Sequence, residues 1–370
     1  MNNKERNSLQ KEIVDSIPSG KSGRLLLSPR VGKSKIAISV IKRDQPQSIL
    51  WVTPSTELAE KDIPEEFVKW RAKSYLNKLE TVTWMSLHKC EGHYDLIILD
   101  EEQMITKRNS QNFFNGKLKY NVLLSMTGTP SRDWDKKVLY NGLCIYPICD
   151  LSINKAVNLG LLSNYQINVV NISMSQNNMV MAGSKSNRFE QSEIKNYTYL
   201  DKMVYEDGTS FFRVMARKRA IENSPSKYQA LKNLYNSLEG RVLCFSPTIK
   251  IAEKLDECTY HSKTSNEDLQ KFYDGKIDKI SMVNSGGLGF TYKNIDHLII
   301  AQSTKDQNGN TTQKICRTLL KQKDYKATVW ILCLLGTRDE DWIASCLKRF
   351  DQTKIKHFYY DNDNKWISPS

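Results

Sequence analysis

An apolar run ends in three consecutive carboxylates, Asp100, Glu101 and Glu102, and far upstream stands a Gly-Lys-Ser triplet, Gly32, Lys33 and Ser34. These residue types suit phosphate chemistry. A lysine placed like Lys33 contacts the β- and γ-phosphates of a nucleotide, and a hydroxyl placed like Ser34 ligates Mg²⁺. Asp100 can hold the same Mg²⁺, directly or through water, and Glu101 can orient and deprotonate an attacking water. Glu102 reads as a bystander, or as an acid favoured at a helix start by the helix dipole. The triplet alone is a weak signal. A complete phosphate loop runs G-x-x-x-x-G-K-[ST]. Here Leu27 fills the first glycine position, and Arg30 stands where glycine is usual two residues before Gly32. Arg30 can add positive charge near the phosphates, or face solvent or the partner domain, the last two being the expectation.

For these groups to act together, strands must deliver them to one edge. RLLLS (24–28) precedes the triplet, and KSKIAISVIKRD (33–44) has helical spacing. Gly-Lys-Ser therefore opens a helix directly after a strand, where backbone N–H groups and the helix dipole hold phosphate. DLIILD (95–100) reads as a strand whose last acid enters the crevice at the carboxyl end of a sheet. Further strand-length runs are SILWVT (48–53), NVLLSMT (121–127), NYQINVVNIS (164–173), RVLCFS (241–246), KISMV (279–283), HLIIAQ (297–302) and ATVWILCLL (327–335). Several are apolar throughout, as parallel strands covered on both faces are. Amphipathic stretches at 55–70 and 224–240 alternate with them. This predicts an α/β protein of two domains, 1–150 and 151–370, joined near 145–155. Residues 174–223 are polar and then locally basic, and read as an insertion in the second domain, part helix and part loop. No internal repeat is present.

The phosphate-loop triplet and the Asp-Glu-Glu-Gln box together resemble the superfamily 2 helicases and translocases, and further segments fit that order. Gln10 resembles the adenine-reading glutamine. WVTPSTELAEK (51–61) resembles motif Ia, with Thr53 and Pro54 along the nucleic acid, and TVTWMSLHK (81–89) resembles the motif that brings Thr83. SMTGTP (125–130) resembles motif III, in which Thr127 and Thr129 couple the ATP state to the domain interface. CFSPTIKIAEKL (244–255) resembles motif IV, with Ser246 and Thr248. MVNSGGLGFTYKNIDHLIIAQ (282–302) resembles motif V, with Gly289 and Thr291, and QKICRTLL (313–320) resembles motif VI, with Gln313 and Arg317. The resemblance runs from Gln10 to the strand near 335. It implies two tandem RecA-like domains and a DExH-type enzyme. ATP and Mg²⁺ are its cofactors, with Gln10, Gly32, Lys33, Ser34 and Gly289 binding nucleotide and Ser34 and Asp100 holding the metal. Glu101, Asp100, Gln313 and Arg317 are its catalytic residues. The Asp-Glu-Glu-Gln and Thr-Gly-Thr-Pro forms, and NLGLLSNYQINVV (158–170), look closer to double-stranded DNA translocases, chromatin-remodeller-like ATPases and phage branch-migration helicases than to DEAD-box RNA helicases. A role in DNA repair, recombination or replication, and a phage source, follow by analogy. One departure stands out. Motif VI usually reads Q-x-x-G-R-x-x-R, but here Cys316 replaces the glycine and Leu320 the second arginine, with Lys321 following.

Over 370 residues, 54 Lys and Arg against 41 Asp and Glu give a formal charge of +13, which suits a polyanionic partner, most often nucleic acid, or is generic solubilising charge. The resemblance implies DNA more than RNA. RVMARKRAIE (213–222) offers Arg213, Arg217, Lys218 and Arg219 either to a nucleic-acid backbone or to solvent. Tyr197, Tyr199, Phe211 and Phe212 nearby can stack on bases or pack a small core. The Ser and Thr residues named above suit hydrogen bonding to phosphate without base readout, or plain turn chemistry. Eight cysteines without a C-x-x-C pair read as reduced core residues rather than a zinc site or disulfide framework. No run is long and apolar enough for a membrane span and the N-terminus lacks a signal core, so a cytoplasmic monomer is expected. The function expected is an ATP-driven DNA helicase or translocase. An RNA helicase, or a degenerate ATPase acting as a nucleic-acid-binding regulator, is the alternative.

Overall fold

The structure, a computed structural model, describes residues 3–184, 186–206, 210–283, 294–302, 310–319, 326–360 and 366–367. The chain divides into two compact units, Met1–Leu162 with residues 307–309, and Ser163–Asp306 with Asn310–Ser370. The join expected near 145–155 coincides with the last strand of the first sheet, and the division itself falls a helix later.

The first unit carries a six-stranded, wholly parallel sheet. Its strands are β1 (Gly23–Leu27), β2 (Ile49–Thr53), β3 (Leu79–Thr83), β4 (Gly92–Asp100), β5 (Leu118–Thr127) and β6 (Pro147–Leu151), in spatial order β3-β2-β4-β5-β1-β6. Every residue of β2 is buried, as the continuous apolar run requires of a strand covered on both faces. One core beside this sheet packs Leu50, Val52, Trp84, Ile97, Leu99, Leu123 and Tyr140. The helix after β1 spans Lys33–Asp44 and buries Ile36, Ala37, Ile38, Val40 and Ile41.

The second unit holds an eight-stranded sheet. Its strands are β7 (Asn164–Ile172), β10 (Val242–Phe245), β11 (Thr259–Tyr260), β12 (Lys279–Met282), β13 (His297–Ile300), β14 (Lys326–Leu334), β15 (Ile355–Tyr360) and β16 (Trp366–Ile367), ordered β11-β12-β10-β13-β14-β7-β15-β16. Only the β15–β16 pair is antiparallel. The two sheets, each flanked by helices, are tandem RecA-like domains, as expected. The segment 174–223 contains an antiparallel hairpin of β8 (Met179–Ser184) and β9 (Asn187–Ser192), then helices Glu193–Glu206 and Phe211–Glu222. The hairpin was expected as loop. Most of its residues are exposed, so no apolar alternation marks it in the sequence.

Of the eight cysteines, all free, Cys244, Cys316, Cys333 and Cys346 are buried and Cys144 is exposed. Core packing thus accounts for half of them, and Cys144 departs from the expectation. No described helix is long and apolar enough to cross a membrane.

Candidate functional site

The register of the first sheet brings the three motifs of that unit to one edge. β4, β5 and β1 are neighbours, Asp100 lies beside Met126, and Leu26 lies beside Thr127. The chain therefore leaves β1 into the Gly-Lys-Ser turn, β4 into the acidic box and β5 into Thr-Gly-Thr-Pro at adjacent carboxyl ends. In open α/β sheets that edge is where ligands bind.

The Gly-Lys-Ser turn is built by its backbone. Gly32 caps the helix Lys33–Asp44 in the left-handed region, φ 96°, with no side chain satisfying the first N–H groups. A Cβ at Gly32 would strain the left-handed backbone and also displace the Gln10 amide. Gln10 is 5 % exposed; its Nε2 donates to the Val31 carbonyl at 2.7 Å, and its buried Oε1 has no partner among the described residues. Arg30 is also left-handed, φ 73°, half-buried, and its carbonyl accepts from Arg6 at 2.6 Å. Gly128 of the Thr-Gly-Thr-Pro turn lies so close to Pro29 that a Cβ there would stand 2.8 Å from the proline ring.

A hydrogen-bond chain ties the three motifs together. Lys33 Nζ donates to Glu101 Oε1 at 2.5 Å, Gln103 Nε2 donates to Glu101 Oε2 at 2.8 Å, and Thr127 Oγ1 donates to Gln103 Oε1 at 2.6 Å. The Thr129 N–H then donates to Thr127 Oγ1 at 2.9 Å. Glu101 holds φ 53°, a left-handed conformation that side chains resist. Its neighbours fix it. Asp100 Oδ1 accepts the Glu101 N–H, and Trp84 Nε1 donates to the Asp100 carbonyl at 2.7 Å. On the other side Glu102, fully buried, meets the Arg24 guanidinium at 2.5–3.1 Å and accepts from Ser125. Arg24 stacks 4.0 Å above the Tyr140 ring, and the Tyr140 hydroxyl donates to the Glu102 carbonyl at 3.2 Å. Glu102 does open a short helical turn, as one reading had it, but it is an anchor rather than a bystander. Arg24 and Gln103, neither singled out in the sequence, complete this arrangement.

Two carboxylates face one ammonium here. Burial, reinforced by the Glu101 charge and opposed by Lys33, pushes the Asp100 carboxyl up to about 6. Burial disfavours the charged form of Lys33 too, but Glu101 and Asp100 outweigh it and hold the ammonium above its ordinary value. The excess negative charge and the half-buried Asp100 and Ser34 side chains suit a divalent cation. The unpartnered Gln10 Oε1 suits an amino donor such as that of adenine. The donor set therefore fits Mg²⁺ and ATP.

The other sequence-predicted residues are dispersed. Thr53 is fully buried at the end of β2 with a hydroxyl that has no partner among the described residues, Pro54 is half-buried beside it, and Thr83 bonds Ser86 at 3.3 Å. In the second unit Ser246 is fully buried and bonded to Ser281 at 2.8 Å, and the Thr248 hydroxyl caps the helix Ile249–Leu255. Gln313 and Arg317 lie four apart on the helix Asn310–Thr318, hence on one face; the Arg317 side chain, Gly289, Thr291, Leu320 and Lys321 lie outside the described residues. Buried Lys314, not anticipated, donates to Gln302 and lies 4.8 Å above Phe245, while Gln302 donates to the Ser246 carbonyl at 2.8 Å. These contacts join motifs IV, V and VI within the unit. Of the basic segment, Arg217 is paired with Asp201 at 2.6 Å and Lys218 with Glu222 at 3.5 Å. Tyr197 is core, whereas Tyr199, Phe211 and Phe212 are exposed.

No protein-family profile matches the chain, and no curated protein matches it in sequence. Among solved structures it resembles the ATP-dependent Type ISP restriction-modification enzyme LlaBIII bound to DNA, with TM-score 0.58 and 11% identity over 98% of this chain and 31% of that one. It also resembles the Hef helicase domain of Pyrococcus furiosus, with TM-score 0.52 and 12% identity over 91% of this chain and 97% of that one. In fold, the chain is helicase-like.

Proposed function

We propose that the protein is a nucleic-acid-stimulated ATPase that couples ATP hydrolysis to movement along, or remodelling of, duplex or branched DNA. The observation that carries this reading is the chain Lys33–Glu101–Gln103–Thr127, which links a phosphate-loop lysine, a carboxylate base and the Thr-Gly-Thr-Pro turn. The similarity in fold to a restriction enzyme bound to DNA and to a helicase domain supports it.

Each residue has a definite task in this account. Gln10 turns its free oxygen to the base, and Gly32 leaves the helix N–H groups open to phosphate. Lys33 exchanges Glu101 for the phosphates, which releases the Glu101 carboxylate to take a proton from water while Gln103 keeps it oriented. Asp100 and Ser34 would hold Mg²⁺, which when bound would neutralise phosphate charge. Thr127 and Thr129 transmit the state of Glu101 through Gln103. The resemblance to motif VI gives Arg317 and Gln313 their catalytic roles toward the γ-phosphate. An arginine in that role contributes ~10³ to 10⁵ in rate. Pro54, Thr83, Thr248 and Thr291 line the nucleic-acid path, whereas Thr53 and Ser246, expected there too, are fully buried and cannot reach a phosphate.

The test is ATP hydrolysis measured over single-stranded, duplex, forked and four-way DNA, and RNA. Stimulation strongest on duplex or branched DNA is expected. Stronger stimulation by RNA would reassign the substrate, and no stimulated hydrolysis at all would leave a nucleic-acid-binding regulator.

A further inference from the structure

The 174–223 insertion has a feature that hydrolysis does not use. Between β8, the helices Glu193–Glu206 and Phe211–Glu222, and the first turn of Ile249–Leu255 lies a groove of about 580 Å³. Its floor is small and apolar, with Ala216 and Ala220 from the second helix. Its polar groups are Arg219, Lys250 and two asparagine amides, and no carboxylate lines it among the described residues. Arg219 and Lys250 are exposed. Their neighbours Arg217 and Lys218 are paired with Asp201 and Glu222, and Arg213 donates to the Met203 carbonyl, so Arg219 is the cation of this helix that lines the groove. Lys250 follows Thr248 by two residues, at the start of the motif IV helix.

The second helix also continues the groove outward. Residues 212, 216, 219 and 223 recur at helical spacing, so Phe212 stands on the same face as Ala216 and Arg219. Phe212 is 82 % exposed, and its ring meets Phe211 edge-on at 5.9 Å. A bare aromatic at the end of a cation-rimmed groove matches how proteins hold unpaired nucleic acid, with phosphates on cations and base faces on rings. The volume suits a nucleotide or two and not a double helix.

We propose that this groove holds a single-stranded nucleic-acid segment, such as one arm of a fork, with phosphates at Arg219 and Lys250 and an unpaired base on Phe212. The proposal rests on the reading of the chain as a nucleic-acid-dependent enzyme. Charge complementarity favours this occupant, and the exposed ring favours an unpaired strand over an acidic polypeptide.

Fluorescence anisotropy of the full chain with labelled oligothymidylate and with blunt duplex, over a salt series, tests it on variants that melt with wild type. Arg219→Gln with Lys250→Gln should weaken oligothymidylate binding about tenfold or more at low salt. It should also flatten the slope of log K against log salt by about 1.4, at roughly 0.7 per lost phosphate contact, and Arg219→Lys should keep the slope. Phe212→Ala should lose about tenfold on oligothymidylate and nothing on duplex. Unchanged slopes and affinities in variants of an enzyme that binds DNA and hydrolyses ATP would overturn the groove alone. Equal loss on duplex after Phe212→Ala would overturn it too, as would loss of polyglutamate binding with oligothymidylate binding intact. A wild type that binds no nucleic acid would overturn both this inference and the function it rests on.

Discussion

Replacing Arg24 by Met should damage the first domain far more than its place outside the motifs suggests. Glu102 is fully buried, and Arg24, whose side chain is 12 % exposed, is its direct ion-pair partner. Burial pulls the Arg24 guanidinium down, but the bond and charge of Glu102 outweigh it and leave it above its ordinary value. Removing one member of a buried pair strands the other and costs ~3–5 kcal/mol, whereas replacing both by apolar groups is often neutral. The stacking on Tyr140 is lost as well. For a unit of this size each kcal/mol moves the melting temperature by roughly 2–4 °C, so Arg24→Met should lower the first domain's transition by roughly 6–20 °C. The double variant Arg24→Met/Glu102→Leu should recover most of that. Calorimetry, with the emission of buried Trp51 and Trp84 as a local reporter, reads both. An Arg24→Met transition within about 2 °C of wild type, or a double variant as unstable as the single, would show that the pair does not anchor the acidic box.

Two further outcomes follow from single contacts. Gln103→Leu should cut stimulated kcat about tenfold or more while leaving the KM for ATP near wild type, because it frees Glu101 and Thr127 without touching the phosphate loop; steady-state kinetics check the split. Burial, with Lys279 adding and Asp296 opposing, holds the His297 imidazole below its ordinary value, and its Nδ1 accepts from Trp330 at 3.4 Å. As pH falls below about 6.5 the unfolded chain binds the proton first, so the contribution of His297 to stability is flat above that pH and declines below it. His297→Gln should therefore flatten the fall in melting temperature between pH 7 and pH 5.

Much of this was legible in the sequence because central parallel strands are apolar throughout. β1, β2, β4, β5, β7, β10, β12, β13 and β14 all coincide with such runs. β3, β6, β11 and β15 were not, since strands toward the sheet margins keep polar residues, as in Pro147–Leu151 with its exposed Asp150. Helix Lys33–Asp44 was read to the residue because its apolar spacing starts at a glycine cap. The site was legible as motifs but not as contacts. Glu102 anchors through an arginine 78 positions away, and Gln103 reaches Thr127 24 positions on; no local pattern encodes either. The basic helix shows the same limit: Arg217 is paired with Asp201 on the preceding helix, which no local spacing encodes.

The most direct test of the central claim is phosphate release by Glu101→Gln with and without forked DNA, against wild type. The substitution keeps the shape of the side chain and removes the carboxylate that Lys33 and Gln103 hold. Wild type should hydrolyse ATP and respond to the fork, while Glu101→Gln should bind the same DNA with turnover lower by about 10² to 10⁴, the range for losing a general base. Stimulated hydrolysis by Glu101→Gln at the wild-type rate would contradict the assignment of Glu101 as the base, and with it the hydrolytic site proposed at the carboxyl ends of β1, β4 and β5.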